Sequence, residues 1–226
     1  MISFTPATPP GSETELLHRA AQLAGKTLAQ LAQTIDSDIP SQQRHAKGWI
    51  GTAVESYLGA SAASKPEPDF PQLGIELKTL PVNRHGRPKE STYVCIVPLT
   101  GLTNLTWEHS NVRKKLARVL WVPIEADPGI PLATRRFGNA FLWSPDVAQE
   151  MDLRTDWEEI MEMIHMGDLS AINSRFGKVM QIRPKGMNAR ALTRTETETG
   201  ESGLTLPRGF YLRASFTHEI LERRKA

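Results

Sequence analysis

Cysteine and long apolar stretches are scarce in this chain. Cys95 is the only cysteine, which excludes an intramolecular disulfide and any zinc or iron–sulfur site built from several cysteines. No segment approaches the roughly 18 consecutive apolar residues that a membrane helix needs. The first eleven residues also lack the basic and then apolar order of a secretory signal. We therefore expect a cytoplasmic protein that does not associate with membranes.

Several common catalytic motifs are missing as well. The sequence has no Gly-x4-Gly-Lys-Ser/Thr phosphate loop, no Gly-x-Gly-x-x-Gly after a strand and no Gly-x-Ser-x-Gly. Its six histidines are scattered, and none is paired with another at the close spacing that suits zinc. These absences argue against a P-loop or dinucleotide-binding enzyme, an α/β-hydrolase and a zinc hydrolase.

The charge of the chain is unevenly distributed. Its 226 residues, 39% hydrophobic and 23% charged, suit one soluble globular domain with a net charge of only +2. Residues 174–226, however, contain eleven Lys/Arg and five Glu, a net +6 that leaves −4 for the preceding segment. Clustered cations favour a polyanionic partner, because binding releases counterions. Solvent-exposed helix faces would give the same count.

Apolar periodicity predicts an α/β chain, in which helices flank a mixed sheet. Helices are predicted at 12–25, beginning with the capping box Ser12-x-x-Glu15, and at 27–34, 46–58, 110–118, around 153–164 and from about 215. Strands are predicted at 74–80, 92–97, 119–124, 140–143, 178–183 and 204–213. The first two strands are predicted to form a hairpin through Asn83–Pro88. The polar segment Thr193–Ser202 is predicted to be mobile.

The longest predicted helix has an apolar face and an acidic face. Its apolar side chains repeat at helical spacing and are predicted to pack in the core: Leu153, Trp157, Ile160, Met161 and Ile164. We expect the acids beside them to face solvent: Asp152, Asp156, Glu158, Glu159 and Glu162.

Two carboxylates and a lysine lie around one predicted strand. Asp69 precedes this strand, and Glu76 and Lys78 lie within it. Residues i and i+2 of a strand share a face, so Glu76 and Lys78 point to one side while Leu77 enters the core. Asp69 and Glu76 could hold Mg²⁺, which polarises a phosphate and activates water. Lys78 could orient that water or neutralise developing negative charge, an arrangement that suits phosphodiester hydrolysis.

A further acid, Glu55, lies on a predicted helix face lined by the small residues Gly48, Gly51 and Thr52. Its carboxylate could reach the cluster, where it would orient Lys78 or a second ion. The letters of the motif are weak evidence by themselves, because chance supplies about one or two such matches in a chain of this length. An ion pair between Glu76 and Lys78 at the surface would explain them equally well.

Longer blocks of sequence resemble the MutH-type DNA mismatch repair endonucleases, relatives of restriction enzymes with the PD-(D/E)xK core. The resemblance covers most of the chain and rests on 47–51, 59–61, 64–67, 69–70, 74–79, 98–101 and 206–212. It implies a single nuclease domain, 1–226, with a restriction-endonuclease-like core and two lobes that form a DNA cleft. The N-terminal lobe would be catalytic, with its core motif at 55–98, and the C-terminal lobe, about 174–226, would recognise DNA.

The resemblance also implies an activity. The implied enzyme is a Mg²⁺-dependent endonuclease with one or two ions per site. It would nick the unmethylated strand of double-stranded DNA at hemimethylated GATC. The mismatch repair proteins MutS and MutL would activate it. The catalytic residues would be Glu55, Asp69, Glu76 and Lys78, with Asp69, Glu76 and the Leu77 carbonyl as metal ligands. Because one chain carries one motif, a monomer would cut one strand.

DNA-binding residues follow from the same resemblance: Lys47, Lys115, Arg183, Pro184, Lys185 and Tyr211. Arg183–Lys185 matches a recognition loop, and Tyr211 matches a residue that senses adenine methylation. Gly186–Met187 stands where the family commonly has alanines, so backbone contacts to bases there are in question. On physical grounds, the two cations beside Pro184 could anchor phosphates or read guanine. Tyr211 could instead pack within a strand, and Lys115 could lie on a solvated helix face.

Two other functions remain compatible with these residues. A restriction endonuclease would cut both strands of GATC and would require a dimer or a second core. A DNA-binding module without catalysis would carry the acidic cluster only by coincidence.

Overall fold

The chain divides into two units. The computed structural model describes residues 7–62, 65–169, 171–173, 175–185, 192–196 and 202–224. Unit 1 comprises Met1–Lys89 and Ala117–Ser144, and unit 2 comprises Glu90–Leu116 and Pro145–Ala226. The predicted catalytic segment 55–98 is therefore divided between the units at Lys89. Unit 2 is larger than the predicted recognition segment, because 90–116 and 145–173 also belong to it.

Six helices and eight strands are assigned among the described residues. The helices are α1 (Glu13–Ala21), α2 (Leu28–Thr34), α3 (Gln43–Leu58), α4 (Asn111–Leu116), α5 (Val147–His165) and α6 (Ala214–Arg223). The strands are β1 (Glu76–Val82), β2 (Thr92–Ile96), β3 (Val119–Glu125), β4 (Phe141–Trp143), β5 (Met180–Pro184), β6 (Thr193–Glu196), β7 (Ser202–Thr205) and β8 (Arg208–Leu212). The chain is an α/β protein with small sheets flanked by helices, as predicted. None of the helices described is long and apolar enough to cross a bilayer.

Local capping fixes the helix ends of unit 1. The Ser12 hydroxyl accepts a hydrogen bond from the Glu15 amide at 3.2 Å, while the Glu15 carboxylate accepts the amide of Gly11 at 2.8 Å. Only half of the predicted capping box therefore forms at α1. At α3 the chain ends in the left-handed conformation at Gly59, φ +81°. A Cβ atom there would lie 2.4 Å from the Thr8 carbonyl oxygen, so glycine is required.

The sheet of unit 1 has the strand order β1-β3-β4. β1 and β3 are parallel, with Glu76 opposite Val119 and Lys78 opposite Trp121, whereas β4 runs antiparallel to β3. Alternate residues of the two parallel strands enter the core that α1, α2 and α3 cover: Leu77, Leu120, Val122 and Ile124. Because strand residues alternate in direction, Glu76 and Lys78 point to the other face of the sheet.

Unit 2 contains an antiparallel sheet with the order β2-β8-β5 and the separate pair β6-β7. The predicted hairpin between β1 and β2 is wrong, because β2 pairs with β8 instead. The chain does turn at Asn83, and Val82 bridges Pro88. This pairing reaches Lys89, whose amide donates to the Pro81 carbonyl at 3.1 Å, whereas β2 belongs to the sheet of unit 2.

Two further segments of unit 2 differ in secondary structure from the prediction. Thr193–Glu196, part of the segment predicted to be mobile, forms β6 and pairs with β7, whereas 197–201 lie outside the described residues. The predicted strand 204–213 is two strands, β7 and β8, separated at Leu206–Pro207. The proline lacks the N–H that an uninterrupted strand would use in its ladder.

Asp156 of α5 is buried and does not face solvent as predicted. Its side chain is 3% exposed, and its carboxylate accepts backbone hydrogen bonds from Lys178 at 2.7 Å, Val179 at 2.6 Å and Met180 at 2.7 Å. Three backbone donors at the beginning of β5 thus converge on one charge, which offsets the cost of burying it. Asp156 fixes β5 to α5.

Candidate functional site

Asp69 is fixed against the beginning of β1. Its Oδ2 atom accepts a hydrogen bond from the Leu77 amide at 2.8 Å, and its own carbonyl accepts the Ser61 amide at 3.0 Å. A bridge between Phe70 and Ile75 closes the intervening turn. The half-buried Asp69 carboxylate therefore lies beside the strand segment that carries Glu76 and Lys78, as the sequence predicts.

Glu76 and Lys78 form an ion pair through Glu76 Oε1 and Lys78 Nζ. The side chains are only 2% and 14% exposed, so the surface ion pair considered above is not what forms. Water screens such a pair weakly, and removing one partner would leave the other charge buried and uncompensated. The pair is thus held rigidly on one face of β1.

Trp121 is a neighbour of this pair that sequence reasoning missed. It lies opposite Lys78 in the β1–β3 register and is fully buried. The Trp143 ring on β4 lies 6.3 Å from the Trp121 ring, between centroids. An apolar indole beside Lys78 lowers the local polarity and strengthens the Lys78–Glu76 attraction. Only the strand register, which sequence alone does not give, identifies this neighbour.

Lys47 and Glu55 lie on α3, which packs against β1. Lys47, Gly51 and Glu55 follow each other at intervals of four residues and therefore share a helix face. Lys47 is exposed and Glu55 is half-buried. A Cβ atom on Gly48 would meet no atom within 4 Å, and on Gly51 the nearest would be Glu55 Oε1 at 3.9 Å. This face is accessible, as its small residues predict.

The oxygen donors suit a hard divalent cation. Asp69 and Glu76 offer carboxylates and Leu77 a carbonyl beside them, which are the ligand types that Mg²⁺ binds. In the part of the chain that the structure describes, no three Asp, Glu, His or Cys side chains are gathered as a metal site. Glu55 belongs to a separate element, while Glu76 pairs with Lys78 and Asp69 with the Leu77 amide.

The predicted DNA-binding residues of unit 2 lie on or next to its three-stranded sheet and on α4. Arg183 and Pro184 end β5, Lys185 follows, and all three are exposed. Tyr211 on β8 is half-buried, and Lys115 is half-buried on α4, which packs against β2. Gly186 and Met187 lie outside the described residues.

Tyr93 on β2 joins this group, and the sequence analysis missed it. It pairs directly with Tyr211, and the rings meet edge to face with centroids 5.4 Å apart. The Lys185 ammonium lies 2.8 Å from the Tyr93 ring centroid, a cation–π contact. The incorrect hairpin prediction paired β2 with β1, so the sequence analysis did not place Tyr93 beside Tyr211 on β8.

Gly209 allows both rings to pack over the sheet. A Cβ atom at this position would lie 2.8 Å from Tyr93 Cε2 and 3.1 Å from Tyr211 Cε2. Burial raises the pKa of the Tyr211 hydroxyl, the nearby charge of Arg183 lowers it, and that of Glu90 raises it. Because burial dominates, Tyr211 keeps its proton at neutral pH and presents an O–H donor.

A buried carboxylate–lysine pair on a strand and a basic, aromatic strand cluster would suit an enzyme that cleaves nucleic acid. Comparison with known proteins identifies the class more closely: residues 58–156 match the family model "DNA mismatch repair enzyme MutH". The DNA mismatch repair proteins MutH of Enterobacter sp. (strain 638) and of Salmonella typhimurium (strain LT2) are 53% and 55% identical to the chain. Each match covers 216 residues, 96% of this chain and 94% of the relative. The chain belongs to the MutH family and is a mismatch repair endodeoxyribonuclease.

Proposed function

We propose that the enzyme nicks the unmethylated strand of double-stranded DNA at hemimethylated GATC sites, in the presence of Mg²⁺. The observation that carries this proposal is the buried Glu76–Lys78 pair on β1, with Asp69 hydrogen-bonded to the amide between them. Such a set combines oxygen ligands for a cation with a fixed ammonium. Both are needed where a phosphodiester is attacked and negative charge develops.

Lys78 is the central group of the proposed reaction. Its ammonium is held by Glu76 and could donate a hydrogen bond to a phosphate oxygen or to the attacking water. Asp69, Glu76 and the Leu77 carbonyl would hold Mg²⁺, which supplies Lewis-acid polarisation of the phosphate and a more acidic water. Glu55, on the accessible face of α3, would orient Lys78, and Lys47 on the same face would approach the DNA.

Recognition of GATC is proposed for the β5–β8 residues of unit 2. Arg183 and Lys185 are exposed cations that could read guanine or hold phosphates, and Lys115 adds a further positive charge on α4 of the same unit. N6-methylation replaces one donor hydrogen of adenine and adds bulk in the major groove. The packed rings of Tyr211 and Tyr93 leave little freedom to accommodate that methyl group, and one such contact is worth about 1–3 kcal/mol.

The cellular setting completes the proposal. One Asp69–Glu76–Lys78 set per chain suits a monomer that cuts one strand per encounter. We propose that MutL, acting with MutS, activates the enzyme, and that it works in the cytoplasm. Light scattering of the free and DNA-bound protein tests the monomer, and addition of MutL to a nicking reaction tests activation.

The direct test is a strand-resolved nicking assay on unmethylated, hemimethylated and fully methylated GATC duplexes with Mg²⁺. We expect cuts in either strand of the first, only in the unmethylated strand of the second and none in the third. Lys78→Ala protein is the control for contaminating nucleases and should give no product. Equal cutting of both strands of the hemimethylated duplex would contradict the proposal. Linear product from a supercoiled plasmid without a nicked intermediate would indicate a restriction endonuclease.

A further inference from the structure

Arg208 is a cation at the end of the unit 2 sheet that none of the functions above uses. It begins β8 and pairs in register with Pro184 of β5. Its carbonyl accepts the Val97 amide at 2.9 Å, and the neighbouring Pro207 carbonyl accepts the Lys185 amide at 2.6 Å. These backbone bonds fix Arg208 immediately beside the turn that carries Arg183 and Lys185.

The Arg208 guanidinium is poorly compensated. Its Nε atom is buried and has no hydrogen-bond partner, and no acidic side chain among the described residues forms an ion pair with it. Burial lowers the pKa of this guanidinium, in contrast to Arg118, whose pKa is raised by a hydrogen bond from its side chain to Glu13. Arg208 as a whole is half-buried, but a desolvated guanidinium nitrogen is normally hydrogen-bonded or bound to an anion, because desolvation without a partner is costly.

The surroundings of Arg208 add to this need for an anion. Arg183 and Lys185 lie on either side of its register partner Pro184, so three cations lie at one end of the sheet, with Arg208 on the face opposite to that of Arg183. Such a concentration of positive charge favours binding of a phosphate and the release of counterions.

We propose that Arg208 binds a phosphate of the DNA backbone next to the recognition turn. The inference rests on the proposed role of Arg183–Lys185 in DNA binding. Strand alternation places Arg208 on the face of β8 opposite to Tyr211. A side chain on that face does not share the base-reading surface of Tyr93 and Tyr211, and it is therefore assigned to the backbone. A planar guanidinium also suits two oxygens of one phosphate.

A binding experiment with the full chain tests this proposal. Fluorescence anisotropy would measure affinity for a GATC duplex and for a duplex of equal length without GATC, in Mg²⁺-free buffer at several salt concentrations. For Arg208→Gln we expect about tenfold weaker binding to both duplexes, a salt slope smaller by about 0.9, and an unchanged or raised thermal midpoint. Arg208→Lys should keep the salt slope, because it retains the charge. Arg175→Gln, which removes an exposed arginine of the same unit, is the matched control.

Each other outcome has a definite meaning. If Arg208→Gln behaves like Arg175→Gln, the phosphate contact does not exist. If it loses only the preference for GATC, Arg208 reads a base and the assignment to the backbone is wrong. Loss of folding would contradict the premise that the guanidinium has no structural partner. Arg183→Gln separates this inference from the proposed function: if it leaves both affinity and GATC preference unchanged, the proposed recognition role of β5 fails instead.

Discussion

The charged side chains of the two proposed sites are held in opposite ways. Unit 1 buries Lys78 against Glu76 and fixes Asp69 with a backbone amide. Unit 2 exposes Arg183 and Lys185, and the Tyr93 ring contacts the Lys185 ammonium. Chemistry on a phosphodiester needs rigid, desolvated groups, whereas reading a long polyanion needs accessible cations. This difference indicates that burial of charge, more than charge itself, distinguishes the part proposed to cut DNA from the part proposed to recognise it.

The largest expected effect comes from removing one charge in unit 1 without removing its hydrogen bond. Asp69→Asn keeps an acceptor for the Leu77 amide but loses the anion, so we expect a normal fold and a nicking rate lower by about 10³-fold. Single-turnover nicking and thermal unfolding measure the two effects. Glu67→Gln, an exposed acid on the same loop, should be as active as the wild type. Comparable activity of Asp69→Asn would show that the carboxylate charge is dispensable.

In unit 2 the largest expected effect is on stability. Asp156→Ala leaves three amides at the beginning of β5, two of them in buried hydrogen bonds, without their acceptor, and we expect a loss of about 3 kcal/mol or more in the free energy of unfolding. Urea unfolding measures this loss. Glu159→Ala, an exposed acid on the same helix, should change it by less than about 0.5 kcal/mol. Equal values for the two variants would mean that Asp156 does not hold β5 in place.

A smaller effect is expected from disturbing the aromatic pair. Gly209→Ala places a methyl group against the Tyr93 and Tyr211 rings, which must move apart. We expect a loss of about 1 kcal/mol in discrimination between hemimethylated and fully methylated GATC, roughly fivefold in relative affinity. The matched control is Gly203→Ala on β7, where the new atom would lie 3.4 Å from the Thr195 methyl. Unchanged discrimination in Gly209→Ala would remove the ring pair from methyl sensing.

The smallest expected effect concerns an exposed ion pair in unit 1, in contrast to the buried one. Arg118 donates two hydrogen bonds of 2.8 Å to Glu13, and this hydrogen bonding lowers the pKa of the Glu13 carboxyl. The resulting stability is present at neutral pH and is lost as pH falls through the lowered pKa of the folded state. Glu13→Gln should therefore lose less than about 1 kcal/mol at neutral pH. When the free energy of unfolding is measured from acid to neutral pH, the values for Glu13→Gln and the wild type should converge at the acid end.

Local sequence signals predicted unit 1 well. The bounds of α2 and β3 agree with the predicted 27–34 and 119–124 to within one residue, because caps and apolar alternation are encoded nearby. The pairing of Glu76 and Lys78 followed from strand periodicity alone. What the sequence could not provide was long-range pairing: Trp121 beside Lys78 and Tyr93 beside Tyr211 depend on which strands become neighbours. Asp156 was misassigned for the same reason, since its three amide donors come from the beginning of β5, more than 20 residues away.

The most direct test of the central claim, that unit 1 cuts and unit 2 reads, is the affinity of Lys78→Ala protein for hemimethylated and fully methylated GATC duplexes in Mg²⁺. We predict that this protein, unable to cut, retains the wild-type preference for the hemimethylated duplex, because Tyr93, Tyr211 and the β5 cations are unchanged. Loss of that preference would contradict the claim that the two units have separate roles. It would mean that methyl discrimination depends on the Glu76–Lys78 pair.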